Sequence, residues 1–226
     1  MKKENFQNRI FTSIFLILLL YLSFNYSYIL VISLILISVF SWVEFTGLIS
    51  KIFNNKNFGS NFLKLILQII CLIYLTIFSV NIFFGIFDQD LKFTILFLIC
   101  VCIFSDIGGL LFGKFFKGKK LTKISPNKTI SGSIGSFILS LFLIPIFYSI
   151  LNIKLNNLSD FIFLTILVSF VCQLGDLFIS FLKRKAKVKD TGDLLPGHGG
   201  ILDRFDGILF GVPIGKMINE LLIVPI

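Results

Sequence analysis

The residue types best suited to chemistry are concentrated in one stretch of the chain, from Ser180 to Asp206. It contains a lysine-rich run, four aspartates, the only histidine of the protein and a Pro-Gly-His-Gly-Gly turn at 196–200. A magnesium ion typically binds one or two carboxylates together with substrate phosphates, and basic side chains offset the remaining phosphate charge. The stretch therefore predicts a site that handles phosphate groups.

Asp176 lies just before this stretch, inside an apolar segment. An ionised carboxylate at membrane depth needs a cation or water, so a functional role is the first hypothesis for it. On a helix, Asp176, Ser180 and Lys183 occupy positions i, i+4 and i+7 and share one face. Asp106 ends another apolar segment, and its position fits either a functional carboxylate or a helix end at the headgroup level.

The loop 113–132 carries six lysines and no acidic residue. Ammonium groups, hydroxyls and backbone N–H groups in such a loop can hold a polyphosphate. The alternative is that most of these lysines only fix the topology and contact anionic lipid. Pro126 favours a turn that brings Ser125, Lys128 and Thr129 together, and we predict phosphate contacts for these three residues.

The stretch from Ser180 to Asp206 resembles the signature of phosphatidate cytidylyltransferases, the CDP-diacylglycerol synthases. That signature has Ser, Lys-Arg and Lys-Asp at fixed spacing, a small residue, a Pro-x-His-Gly-Gly turn and a final Asp-Arg-hydrophobic-Asp. It is matched here by Ser180, Lys183, Arg184, Lys189, Asp190, Gly192, Pro196, His198, Gly199, Gly200, Asp203, Arg204 and Asp206. The resemblance extends to Leu-Gly-Asp at 174–176, to Ser-Pro-Asn-Lys-Thr at 125–129 and loosely to Asp106.

The chain departs from the family pattern at two places. Where the family usually has an acidic residue after its Lys-Thr pair, this chain has Ser131, so no acidic role is carried to that position. After Asp106 the family often has an aromatic residue where this chain has Leu110. The chain is also short for the family, and the missing length falls in the N-terminal half, away from the signature.

The resemblance implies an enzyme that joins CTP to phosphatidic acid, giving CDP-diacylglycerol and pyrophosphate. It implies Mg²⁺ as the cofactor, with a second cation such as K⁺ at the same site. The leading metal ligands are Asp176 and Asp203, and the weaker candidates are Asp190 and Asp206. The expected catalytic residues are Asp176, Lys183, Asp190, Asp203 and Arg204, and the expected substrate-binding residues are Ser125, Lys128, Thr129, Ser180, Arg184, Lys189, His198, Gly199 and Gly200.

His198 is expected to position substrate by hydrogen bonding rather than to act as a base. A phosphate monoester has a second pKa of about 6, so the lipid phosphate is already largely dianionic at neutral pH. It can attack without losing a proton to the enzyme.

Two other functions remain open at this stage. A CTP-dependent kinase or transferase acting on polyprenol or another isoprenoid lipid would use similar residues. An ion or lipid transporter could use Asp176 at the membrane midplane, although it would leave the Lys-Asp to Asp-Arg-Phe-Asp constellation without a role. Nucleic acid is not an expected partner, because basic loops in a membrane protein face anionic headgroups.

The elements that hold these residues are predicted to be membrane helices. The chain has 226 residues, 56% of them hydrophobic, and a mean hydropathy of +0.95, which indicates an all-α, polytopic integral membrane protein. The apolar run from Ile10 to about Glu44 would form a helix of roughly 50 Å, too long for one crossing of about 30 Å, so we predict two helices there. Further spans are predicted at about Phe62–Phe84, Phe93–Phe112, Ser133–Leu151, Phe161–Leu182 and Gly207–Ile226, which makes about seven transmembrane helices, within a range of six to nine.

The basic residues orient the chain. With a cytoplasmic N-terminus, nearly all of them lie on the cytoplasmic side; the exceptions are Lys92 and Lys154 opposite and Lys216 inside the last span. We expect a single membrane domain over 1–226, with N-terminal helices at 1–90 and a catalytic region at 91–226 whose cytoplasmic loops are 113–132 and 183–206. A bacterial-type inner membrane, a multi-pass chain and a cytoplasmic active site follow, and the resemblance suggests a homodimer.

Overall fold

The computed structural model describes residues 2–53, 58–122, 124–126, 128–151, 158–194 and 199–222. Within these ranges the regular secondary structure is helical, and one isolated bridge pairs Lys120 with Thr129. The helices are α1 (Lys2–Asn25), α2 (Ser27–Ile52), α3 (Phe58–Phe87), α4 (Gln89–Phe116), α5 (Ile130–Leu141), α6 (Leu143–Leu151), α7 (Leu158–Lys185) and α8 (Leu202–Leu222). The predicted all-α class is confirmed.

Five described helices are long and apolar enough to cross a membrane. They are Ser27–Ile52, Phe58–Phe87, Leu91–Phe116, Leu158–Lys185 and Ile130–Phe147, the last of which α5 and the first part of α6 form together; a shorter apolar helix lies at Phe11–Asn25. Large apolar side chains cover the outer faces of these helices, as in a protein whose solvent is lipid. The chain is a multi-pass integral membrane protein.

The first apolar run is divided into two helices, as predicted. Tyr26 has an extended backbone, with φ −126° and ψ 113°, and it separates α1 from α2. The side-chain amide of Asn25 donates a hydrogen bond to the Tyr21 carbonyl over 2.8 Å, which satisfies one carbonyl at the end of α1.

The predicted span Ser133–Leu151 is interrupted, which the hydropathy pattern does not reveal. Helix α5 ends at Leu141, and α6 begins at Leu143 after Phe142. Pro145 has no backbone N–H to offer the carbonyl four residues earlier, so the helical ladder breaks at this point.

The chain divides into two compact units, each described by itself. The first comprises Met1–Phe87 and Leu182–Phe205. In it, α2 packs against both α1 and α3. The Trp42 indole N–H donates to the Gln68 carbonyl over 3.2 Å, and the hydroxyls of Ser38 and Ser79 are 2.7 Å apart.

The second unit comprises Asp88–Phe181 and Asp206–Ile226. Its α4 and α5 approach closely through small residues, because a Cβ at Gly108 would collide with the backbone carbonyl of Gly135. Ser136 donates to the Ser105 carbonyl over 2.7 Å, and Ser105 and Ser169 share a buried hydrogen bond of 2.9 Å that ties α7 to α4. Small residues with interhelical hydrogen bonds are typical of packing inside a bilayer.

Candidate active site

Three aspartates of the second unit influence one another, and we call Asp106, Asp176 and Asp206 the carboxylate cluster. They come from α4, from α7 and from the second turn of α8. Gly175 permits this arrangement, because a Cβ there would lie 2.6 Å from the backbone carbonyl oxygen of Asp206. Cys172 points its thiol towards Asp106, with 3.9 Å between Sγ and Oδ1.

Asp176 and Ser180, which were predicted to share one face of a helix, are in contact. Helix α7 runs without interruption through both residues, and the Ser180 hydroxyl donates to Asp176 Oδ1 over 3.4 Å. Lys128 forms an ion pair with the other oxygen of Asp176. A residue of the lysine-rich loop is thus brought to the aspartate predicted to lead the metal site.

The surroundings in the carboxylate cluster disfavour the charged form of Asp206. Asp206 is buried and lies just before the predicted last span. Burial raises the pKa of its carboxyl well above the ordinary value, and the charges of Asp176 and Asp106 raise this pKa further. The Gly207 backbone N–H, which donates to Asp206 over 2.8 Å, and Lys128 act in the opposite direction. A cation at the cluster would relieve the repulsion.

The predicted proline turn in the lysine-rich loop is also present. The Lys128 N–H donates to the Ser125 carbonyl over 3.1 Å, and the Leu121 N–H donates to the Lys128 carbonyl over 2.8 Å. These bonds close a small loop around Pro126 and fix the backbone from which Lys128 reaches Asp176.

Thr129 has a defined local role at the start of α5. Its hydroxyl accepts the Gly132 N–H over 3.1 Å, which makes it the N-cap of the helix. Ser131, which replaces the family's usual acid, accepts the Gly118 N–H over 3.2 Å and lies 3.1 Å from the Thr129 hydroxyl. At this position a hydroxyl anchors the loop to the helix.

A second polar group lies in the first unit, and we call Glu44, Lys183, Thr191 and Asp203 the loop cluster. Lys183 pairs with Asp203 Oδ1 over 2.5 Å. Asp203 Oδ2 accepts the Thr191 N–H over 2.8 Å and the Thr191 hydroxyl over 3.0 Å. Both oxygens of Asp203 are therefore used inside the protein.

Glu44 is a buried residue of α2 that we did not predict for the site. Its carboxylate accepts the N–H groups of Ile201 and Leu202, each over 2.9 Å, and the Thr191 hydroxyl over 2.6 Å. The sequence does hold a signal for it, because Glu44 is the only acidic residue between Glu4 and Asp88 and lies in an apolar segment. Hydropathy alone gives no indication of its partners.

The glycines of the signature stretch lie close to these carboxylates. Gly199 has φ +79°, a left-handed conformation that favours glycine, and a Cβ there would lie 3.3 Å from both Asp190 Cβ and Asp203 Oδ2. A Cβ at Gly200 would collide with the Thr191 hydroxyl and with Glu44. The Cβ direction of Gly200 is therefore occupied by protein atoms. The approach of a phosphate to these two glycines stays a prediction.

The amino-acid sequence is similar to those of known proteins. A family model described as the cytidylyltransferase family matches residues 1–222. The chain belongs to the cytidylyltransferase family. A phosphatidate cytidylyltransferase of Bacillus subtilis is 44% identical over 122 residues, which is 53% of this chain and 45% of that protein. The phosphatidate cytidylyltransferase of Rickettsia typhi is 37% identical over 139 residues, which is 58% of this chain and 60% of that protein. The one from Helicobacter pylori is 37% identical over 134 residues, which is 57% of this chain and 47% of that protein.

The chain therefore spans about half the length of the curated relatives it matches. The predicted family resemblance is confirmed by the family match. The roles of individual residues stay predictions. Arg184, Lys189, Asp190 and Arg204 lie at exposed positions, and His198 falls outside the described residues.

The described residues of the chain contain no group of three or more His, Cys, Asp or Glu side chains arranged to hold a metal ion by themselves. Mg²⁺ does not require such a cage, because it usually keeps several waters and binds one or two carboxylates plus substrate phosphates. The all-oxygen carboxylate cluster and the unfavourable charge on Asp206 fit that mode of binding. Asp203 differs, since its side chain is only 6% exposed and its oxygens bond to Lys183 and Thr191, whereas Asp176 is 27% exposed.

Proposed function

We propose that this protein transfers the cytidylyl group of CTP to phosphatidic acid, forming CDP-diacylglycerol and pyrophosphate. The observation that carries the proposal is the match, at 37–44% identity, to bacterial proteins that bear the name phosphatidate cytidylyltransferase. An acceptor that resides in the bilayer suits a chain with several membrane helices.

In the proposed reaction, a phosphate oxygen of phosphatidic acid forms a bond to the α-phosphorus of CTP. The bond between that phosphorus and the oxygen leading to the β-phosphorus breaks, and its electron pair leaves on pyrophosphate. The protein has little covalent chemistry to perform, so its tasks are to align the two phosphates and to stabilise their charge.

We assign Mg²⁺ to the carboxylate cluster, with Asp176 as the leading ligand and Asp206 beside it. Bound there, the ion would polarise phosphate oxygens and neutralise charge on the leaving pyrophosphate. The second cation implied by the resemblance belongs to the same proposal.

Two lysines that contact aspartates, Lys128 and Lys183, are the best-placed phosphate ligands. Lys128 and Lys183 each contact a carboxylate, and both side chains keep partial access to solvent, at 24% and 18% exposure. An incoming phosphate can therefore share the ammonium hydrogens with the aspartate that already binds them. Arg184, Lys189 and Arg204, at exposed positions, would offset further phosphate charge.

We further propose that the reaction takes place at the cytoplasmic face of a bacterial inner membrane. The distribution of lysine and arginine supports this orientation, because the loops at 113–132 and 183–206 hold most of the positive charge. CTP is a soluble nucleotide and would reach the site from that side. A homodimer is proposed from the resemblance alone.

Labelled CTP distinguishes the proposed cytidylyl transfer from the alternative function, a CTP-dependent lipid kinase. Purified protein, phosphatidic acid and Mg²⁺ are incubated with CTP labelled at either the α or the γ phosphate. We expect the α label to enter the lipid product and the γ label to leave as pyrophosphate. Transfer of the γ label to an added polyprenol, without α transfer, would establish a lipid kinase instead.

Asp176 provides the sharpest variant for the same assay. We expect Asp176→Asn to lower CDP-diacylglycerol formation by orders of magnitude, because the amide removes the charge available to a metal. Asp160→Asn is the matched control, since Asp160 lies in the first turn of the same helix. Near-normal turnover of folded Asp176→Asn protein would contradict the metal assignment.

A further inference from the structure

Glu44 connects helix α2 to the signature stretch through hydrogen bonds that span 147 to 158 residues of sequence. We infer that Glu44 is a positioning residue, which holds Thr191 and the start of α8 in the arrangement needed to use CTP. The inference rests on the proposed function, because it assigns a role within the same reaction.

Both oxygens of Glu44 are engaged at the start of α8. Oε1 accepts the Ile201 N–H and Oε2 accepts the Leu202 N–H, each over 2.9 Å. The first N–H groups of a helix have no partner inside the helix, and the helix dipole favours a negative charge there. A carboxylate supplied by a distant helix therefore fixes where α8 begins.

The same carboxylate holds the other end of the segment. The Thr191 hydroxyl donates to Glu44 Oε2 over 2.6 Å, and a Cβ at Gly192 would lie 2.8 Å from Glu44 Oε1. A Cβ at Gly200 would collide with Glu44 Oε2. Two glycines of the family signature thus make room for this one side chain.

The influence of Glu44 reaches the predicted catalytic residues through Thr191. The Thr191 hydroxyl lies 3.0 Å from Asp203 Oδ2, and Asp203 pairs with Lys183 over 2.5 Å. Each hydrogen bond in this series fixes the orientation of the next group. Glu44 acts through these residues and needs no contact with substrate.

If the residue at position 44 only filled space in the protein interior, an apolar side chain would suit it better than a carboxylate. Glu44 is 5% exposed, and burying a carboxylate is costly compared with burying an apolar side chain of similar size. The charge is useful because it accepts three hydrogen bonds at once and orders a segment that contains no regular secondary structure over 191–194.

Glu44→Gln tests the inference with little change in shape. The amide has one acceptor oxygen, and its NH₂ group faces N–H donors, so at least one backbone N–H loses its partner. We expect amide hydrogen exchange in peptides covering 191–202 to quicken about tenfold without substrate, while α4 and α5 peptides stay unchanged. We also expect kcat/KM for CTP to fall about tenfold, with partial recovery in Glu44→Asp.

Glu220→Gln is the matched control, because Glu220 is exposed and lies near the end of α8. Unchanged exchange over 191–202 in Glu44→Gln, together with unchanged kcat/KM for CTP, would overturn the inference. The exchange measurement needs no turnover, so it tests Glu44 even if the native protein makes no CDP-diacylglycerol, an outcome that would refute only the proposed function.

A second pair of variants applies if Glu44→Gln does not fold. Thr191→Val removes the hydroxyl that links Glu44 to Asp203 at nearly constant volume, whereas Thr191→Ser retains it. We expect faster exchange over 191–202 and lower kcat/KM for CTP in the valine variant than in the serine variant. Equal behaviour of the two variants would overturn the inference.

Discussion

Asp176 and Asp203 have different surroundings, although the resemblance implies the same metal-binding role for both. Asp203 is 6% exposed and bonds to Lys183, Thr191 and the Gly200 N–H. Asp176 is 27% exposed and bonds to Lys128 and Ser180. Asp176 thus retains access for a ligand, whereas Asp203 organises the loop around it.

This difference predicts separable effects of two equivalent substitutions. Asp203→Asn leaves Lys183 beside a neutral group, and breaking a buried ion pair costs about 3 kcal/mol, so we expect lower thermal stability together with lower activity. Asp176→Asn should lower activity with little loss of stability. Thermal unfolding in detergent can be followed by the reactivity of the buried thiols of Cys102 and Cys172. Equal unfolding temperatures for the two variants would contradict the assignment.

The helices were largely predictable from local sequence, and the contacts of the site were not. Runs of apolar residues longer than a bilayer crossing identify membrane helices, because lipid requires every backbone group to bond within its own segment. Pro145 is a sequence signal for the break after Leu141. A hydropathy pattern does not show this break, because the residues on both sides of the proline are apolar. Glu44 finds its partners more than 140 residues away, and hydropathy contains no information about such a pairing.

At the scale of elements, the close packing of α4 on α5 predicts a specific weakness. In Gly108→Ala the new Cβ would meet the Gly135 carbonyl, a backbone atom that cannot rotate away, so the helices must separate. We expect a loss of about 1–3 kcal/mol, seen as a lower unfolding temperature in the same thiol assay.

Gly47→Ala is the matched control for that substitution. Gly47 lies within α2 and has no heavy atom within 4 Å of an added Cβ. Alanine favours helix over glycine by about 1 kcal/mol, so this variant should be as stable as the native protein or more so. A similar loss in both variants would show that the helix contact is not the cause.

At the scale of the whole molecule, the charge distribution predicts the orientation in the membrane. The loop between α4 and α5 is rich in lysine, and the segment between α6 and α7 contains Lys154 as its only basic residue. Because α5 and α6 together form one predicted crossing, these two segments must face opposite sides. The positive-inside rule predicts that the lysine-rich loop faces the cytoplasm, in line with the proposed location of the active site.

Two variants, each with one added cysteine, can test this orientation. Lys119→Cys and Ser159→Cys place thiols at exposed positions on either side of that crossing, and the native chain, whose four cysteines lie in apolar helices, is the control. A maleimide that cannot cross membranes should label Ser159→Cys in intact spheroplasts and Lys119→Cys in inverted vesicles. The reverse pattern would put the lysine-rich loop and Lys128 on the side without CTP, and a cytoplasmic active site would then be excluded. Labelling of both thiols from one side would instead show that α5 and α6 form a re-entrant pair, because two segments joined by a full crossing cannot share a face.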